Sequence, residues 1–481
     1  MSLFARIKAL GLKRFLAILF LAAADVFVIA APYYLKSLIP NLQLYLGVKE
    51  ADISLMTSII GWVTLLTQLP GGWLADKFSS RKLLILAVVI TGFVTYWFGT
   101  LILCSDRINE QSLRAQYFLI FAVWGVSSTL IFWSPLIKLI SQQTDKQNQG
   151  FIYGLQGSLN GVVGLIFVFL IGIIVTSVST RYVTVDNVTS EVRYVIPFAV
   201  YVYIFGTILI GIGIGVYFFI AEKKSNEKSS ISLKELFLVM QDWKVWALSF
   251  FILGMYMFQS TFAYYLNQML VNTINFPVIA LTVIGGIRLY GLRFFVSAWV
   301  SKWSDRLGSI TLALILALFL GLILTVIFIF LPGVEGTGLM IYVQYSPVAK
   351  IVVAVFMVCL FFISSVLSWI MVTLRYAQVA EIQRPKNSYG AVTAVMSFIG
   401  FSSDAWFYQL AGSIQANPLY KVTDANNNEH TSQGGYQIII AIGIAVSMLG
   451  LLAGFLVWYS NYRVMKTHNL RYFRWRELNN V

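Results

Sequence analysis

The stretch "GGWLADKFSSRK", Gly71–Lys82, is a short charged segment between two long apolar runs. Its Asp76-Lys77 pair returns in the second half of the chain as Asp305-Arg306, within "VSKWSDRLGS", Val300–Ser309. A second echo links "TDKQNQGFIYG", residues 144–154, to "EIQRPKNSYGA", residues 381–391. Polar loops that recur between apolar runs point to an internally repeated membrane protein.

A hydrocarbon core of ~30 Å takes about 20 apolar residues to cross as a helix. Twelve such runs are predicted, at 15–38, 52–75, 83–103, 115–139, 151–176, 194–220, 243–271, 277–300, 309–332, 350–373, 388–414 and 435–459. They are numbered spans 1–12 below. Runs this long read as helices, not as alternating barrel strands. "AEKKSNEKSSISLKELFLVMQDWK", residues 221–244, is the longest polar interruption and divides the chain six plus six. The expected domains are a first bundle at 1–220, a linker at 221–242, a second bundle at 243–460 and a basic tail at 461–481. Within the linker, "SLKELFLVM" reads as a short amphipathic helix on the membrane surface.

Composition agrees with an all-α polytopic membrane protein. Of 481 residues, 58% are hydrophobic and 11% charged, with a mean hydropathy of +0.79. A soluble chain would carry about 25% charged residues. The net charge of +14 would suggest nucleic acid in a soluble protein. Here the basic residues alternate with spans, so topology accounts for them and a nucleic-acid partner is not expected. With both termini cytoplasmic, most of the Lys and Arg fall on the inner side. The N-terminal "MSLFARIKALGLKRF" is a basic lead-in without a cleavage pattern. Cys104 and Cys359 read as ordinary buried residues, not a disulfide. His430 and His468 lie in polar segments, so no metal site, histidine proton relay or cofactor is expected.

The loop after span 2 resembles the signature G-x-L-A-D-[RK]-x-G-R-[RK] of the major facilitator superfamily. Gly72, Leu74, Ala75, Asp76, Lys77 and Arg81 match it, while Ser79 and Ser80 depart from it, as in the organophosphate antiporter-like branches, which with the sugar-acid antiporters are near neighbours by resemblance. The resemblance implies two pseudo-symmetric six-helix bundles. It also implies a cytoplasmic gate built from Gly72, Asp76, Lys77, Arg81, Arg293, Asp305 and Arg306, with Gly72 allowing close helix approach. "LRYAQVAEIQRPKNSYGAVTAVMSFIGFSSDAWF" and "IRLYGLRFF" resemble the YihN-like bacterial permeases. The matching positions are Arg375, Ala377, Glu381, Pro385, Gly390, Ala391, Ser397, Ile399, Gly400, Asp404 and Phe407; Tyr389 and Ser403 depart. That likeness implies a multi-pass permease of the bacterial inner membrane.

Once topology is assigned, Arg288 and Arg293 are the basic residues left deep within a span. Arginine at the bilayer centre costs at least ~2.5 kcal/mol, so each needs a reason. Arg288 is about 18 Å from the inner end of span 8, near the midplane, with Gly285 and Gly291 on its face. It is the candidate anion contact. Arg293 is about 10 Å deep, can snorkel, and on an ideal helix faces elsewhere. Asp404 in span 11 is expected either to pair with Arg288 or Arg293 or to carry a proton. Asp25 in span 1 is a second proton-coupling candidate, because desolvation favours a neutral carboxyl. Lys36 is expected to snorkel to the outer interface, with reach into an outward-facing cavity as the alternative.

In the superfamily, spans 1, 4, 7 and 10 line the cavity. The resulting substrate-binding candidates are Arg288, Tyr33, Tyr34, Trp124, Tyr256, Gln259, Tyr264, Asn267, Ser365 and Trp369. Aromatic faces with hydroxyl and amide groups suit polyols and sugar acids. The expected function is transport of a small polar, anionic solute by a monomer in the lipid bilayer, coupled to protons or to exchange. A drug or metabolite exporter and a non-transporting sensor or scaffold are the alternatives. No catalytic set is present, so an enzyme is not expected.

Overall fold

The structure is a computed structural model. It describes residues 10–39, 41–143, 149–185, 188–222, 233–274, 276–293, 295–296, 300, 308–331, 333, 338–382, 389–423 and 429–467. Each of the twelve predicted spans contains helix among its described residues. Nine helices among the described residues are long and apolar enough to cross a membrane. The other spans are the helix Glu50–Lys77, the pair Val278–Gly286 and Ile287–Gly291, and the pair Tyr389–Gly400 and Ser403–Ala416. Large apolar side chains such as Leu66, Phe93, Ile351, Val352 and Leu449 are exposed around the outside, as a lipid-facing belt requires. Cys104 and Cys359 are free thiols, and Cys359 is exposed on this outer surface, not buried as expected.

Several helices are irregular for legible reasons. Span 1 widens into a π-turn at Ala30–Tyr34, where Pro32 has no N–H to give. Span 4 breaks after Thr129 and resumes at Trp133–Gln142, with Pro135 in the new first turn. Span 8 carries a π-turn at Ile287–Gly291, centred on Arg288 and its neighbours. The linker helix forms at Leu233–Met240 as expected, with Phe237 exposed. Span 12 runs to Thr467, past the expected boundary.

Two short hairpins, β1–β2 (Thr180–Val185 with Val188–Arg193) and β3–β4 (Lys421–Thr423 with Glu429–Thr431), follow spans 5 and 11. Those loops are equivalent in the six-plus-six repeat, and both hairpins lie on one face, here the hairpin face. The opposite face carries the linker.

The halves meet through two repeat-related contacts. Span 2 packs on span 11, and span 5 on span 8. A Cβ on Gly61 of span 2 would fall 2.2 Å from the backbone of Asp404, so the two helices touch there at their main chains. Across the other contact, Tyr290 fills the space beside Gly164 and Phe169 that beside Gly286.

Candidate functional site

The polar groups between the halves form two clusters. In the first, Asp25 of span 1 is 7% exposed. Its carboxylate accepts from Gln156 Nε2 at 3.1 Å and from Asn160 Nδ2, both on span 5. Arg293 is a charge facing it. Tyr34 meets Tyr290 edge-on, with 6.3 Å between ring centroids, and faces Arg293, Asp25 and Arg288.

In the second cluster, Tyr256 of span 7 donates to Asp404 Oδ2 at 2.7 Å. Lys36 is the opposite charge facing Asp404. The Lys36 ammonium donates to Thr57 Oγ1 at 3.1 Å and lies 3.8 Å from the centroid of Tyr408 and 5.4 Å from that of Tyr264. It is 9% exposed, so it does not snorkel outward as expected. The π-turn just before it shifts the phase of the helix and brings it to the inner face.

Arg288 lies between these clusters, 4% exposed. Its guanidinium stands 5.9 Å from the Phe361 ring, and its Nε has no hydrogen-bond partner. No ion pair joins Asp404 to Arg288 or Arg293 among the described residues; the expected pair is replaced by Asp404 with Tyr256 and Lys36. Arg293 stacks over Trp369 at 5.6 Å, and Trp369 Nε1 donates to the Arg288 carbonyl at 2.7 Å. Both arginines therefore face span 10, contrary to the expectation from an ideal helix. The π-turn between them makes five residues nearly one turn.

Other expected positions divide clearly. Tyr33 shares hydrogen bonds with Thr64 at 3.3 Å and Ser128 at 3.5 Å. Gln259 is half-buried and Asn267 buried. Trp124 is not a cavity residue. It is fully buried within the first bundle, 5.0 Å from Phe98 and 5.2 Å from Phe121 between ring centroids. The Ser365 hydroxyl donates to its own helix, to Phe361 O at 2.7 Å. Sequence reasoning misses Tyr408 and Phe361 as ring partners, because aromatic residues abound in every span.

At the linker-face loops, Gly72 does not mediate a close approach: a Cβ there meets nothing within 4 Å. Gly71 does, since a Cβ there would lie 2.8 Å from Thr129 O and 2.9 Å from Leu130 O. Lys77 is exposed, 4.7 Å from the Trp73 ring. Arg81 donates to Ile220 O at 3.2 Å, tying span 3 to the end of span 6 in the same bundle. The Asp76 side chain, Asp305 and Arg306 lie outside the described residues. Glu222 accepts from Ser80 N at 2.7 Å at the start of span 3. Glu381 accepts from Ser309 Oγ at 3.0 Å and from Ile310 N at the start of span 9.

Residues 15–407 match the sequence profile of the Major Facilitator Superfamily. The chain belongs to that superfamily. It is 44% identical over 489 residues to the Mycoplasma pneumoniae protein named "Uncharacterized protein MG294 homolog", covering 100% of this chain and 99% of that one. Among solved structures it resembles the nucleoside transporter NupG, with a TM-score of 0.63 at 11% identity, over 93% of this chain and 99% of that chain. It also resembles a bacterial homologue of the iron transporter ferroportin in an inward-facing state, with a TM-score of 0.62 at 12% identity, over 95% and 99%. These likenesses establish the fold. This superfamily member is a multi-pass membrane transporter and not an enzyme.

Proposed function

We propose that this transporter is a secondary-active permease for a small polar anion, such as a sugar acid, sugar phosphate or other organic acid. The two bundles rock about a midplane site by alternating access. The hairpin face is outward and the linker face cytoplasmic, following the Lys and Arg bias. The bilayer is the bacterial cell membrane, and the branch is the YihN-like permeases.

The observation that carries the reading is Arg288. A guanidinium buried between the halves with an unused donor is costly unless an anion completes it. Its planar fork suits carboxylate or phosphate. Tyr34, Tyr256, Tyr264, Gln259, Asn267 and Trp369 supply the surrounding hydroxyl, amide and ring surfaces. Asp25 and Asp404 are the proton-coupling carboxylates, each held by neutral donors and faced by one cation. An exporter of lipophilic cations is less favoured, because Lys36 already occupies the Tyr264–Tyr408 face.

The test is a thermal-shift screen of sugar acids, sugar phosphates and organic acids on the wild type and Arg288→Ala. A true ligand at about 100 times its Kd stabilises the folded state by ~2.7 kcal/mol. The shift should vanish in Arg288→Ala. A ligand that stabilises both proteins equally removes Arg288 from the site.

A further inference from the structure

We propose that Glu50 is the latch that holds the hairpin face closed. It opens span 2 of the first half and is 4% exposed. Every hydrogen bond the structure gives its carboxylate comes from the second half. Oε1 accepts from Gln415 Nε2 at 3.0 Å and from the Tyr436 hydroxyl at 2.5 Å. Oε2 accepts from the Thr431 amide at 2.9 Å and its hydroxyl at 2.8 Å. Tyr436 in turn accepts from Asn272 at 2.7 Å, and Gln415 accepts from Ser54 at 2.6 Å. Ser54 also shares a 3.0 Å bond with Tyr265. One carboxylate thus ties span 2 to spans 7, 11 and 12 and to the end of β3–β4.

The chemistry makes this contact switchable. A buried carboxylate is stable only while its lone pairs are filled. In the closed state four donors of the second half fill them. A cavity of about 230 Å³ is lined by Glu50 itself together with Lys49, Asp52, Arg114, Lys421 and Glu429. When the halves part on this face, water from that side takes the donors' place. The lysines and the arginine of the cavity pair with carboxylates other than Glu50: Lys49 with Glu110 at 3.2 Å, Arg114 with Asp52 at 2.7 Å, and Lys421 with Glu429 at 3.0 Å. The latch is also one-sided. With Asp76 aligned to Asp305, the second half has Ile279 where the first has Glu50.

The proposal rests on the alternating-access part of the reading above, not on the anion site. Its test needs no substrate. Ser58 lies about 12 Å further along span 2, is 3% exposed, and donates to Ala405 O of the other half. Ser58→Cys is made in the full chain with Cys104 and Cys359 replaced by serine. A membrane-impermeant maleimide is then applied from the hairpin side in oriented proteoliposomes. The parent should label slowly, Glu50→Ala about tenfold faster, and Glu50→Gln and Tyr436→Phe in between. A well-folded Glu50→Ala that labels at the parent rate overturns the latch, as does a parent that already labels fast. If Glu50→Ala does not fold, Tyr436→Phe decides by the same readout: faster labelling supports the latch and an unchanged rate overturns it. The labelling uses no anion, so failure of the anion site and failure of the latch remain separate outcomes.

Discussion

The ammonium of Lys36 stands 3.8 Å from the centroid of the Tyr408 ring, one helical turn beyond Asp404 on span 11. A cation from the first half is thereby held on an aromatic surface of the second, facing a carboxylate there. Lys36→Met keeps the stem and removes the charge, and Asp404→Asn keeps the shape. Each single change should destabilise by about 1–3 kcal/mol, since it leaves a charge between the halves without its counterpart. The double variant should show a coupling energy of about 0.5–3 kcal/mol in thermal unfolding. Strict additivity would mean the two charges act independently.

Asp25 satisfies two buried amides, Gln156 and Asn160. Asp25→Ala should cost about 1–3 kcal/mol for each donor left without an acceptor. Asp25→Asn retains one oxygen and should cost less. Melting temperatures of the two variants in the same detergent check this order; equal losses would contradict it.

Gly71 and Gly72 should respond with opposite signs. Gly71→Ala drives a methyl against the carbonyls of Thr129 and Leu130 and should destabilise by about 1–3 kcal/mol. Gly72→Ala meets open space in a helix interior and should be neutral or stabilising by up to about 1 kcal/mol. Loss of stability at Gly72 and tolerance at Gly71 would reverse the assignment.

Glu381 lies beyond the end of span 10 and caps span 9. Burial pushes its carboxyl above its ordinary value of 4.5, against the pull of its bonds to Ser309, Ile310 and Thr311. The folded state therefore holds the proton more tightly than the unfolded one. This contribution to stability is fully present below pH 4.5 and is lost as pH rises through the raised folded value. Glu381→Gln should remove that slope. Unfolding measured from pH 4 upward on both proteins tests it; parallel curves would refute it.

The fold is legible in the sequence because span length, loop charge and the repeated Asp-Lys and Asp-Arg loops all report the same architecture. The intramembrane charges Asp25, Arg288 and Asp404 are legible for a related reason: an ionisable residue in an apolar run stands out. Their partners are not. Tyr256 is one among many tyrosines, and nothing in the sequence marks Tyr408 or Phe361 as the ring beneath a cation. The π-turns at Ala30–Tyr34 and Ile287–Gly291 change which way Lys36 and Arg293 face, and ideal-helix geometry misplaces Arg293. Trp124 fails for another reason. Cavity-lining helices also have a face toward their own bundle, and Trp124 is on it. Glu50 falls just outside the predicted span 2 and carries no signal in the sequence, yet the structure buries it between the halves.

The central claim is that Arg288 holds the transported anion. Its most direct test is uptake, in proteoliposomes, of the acid or phosphate that the thermal-shift screen selects. Wild type, Arg288→Lys and Arg288→Ala are compared at equal protein density. Loss of a bidentate charge-assisted contact predicts at least about a tenfold fall in uptake for both variants, with the larger fall in Arg288→Ala. Undiminished uptake by a well-folded Arg288→Ala would contradict the account.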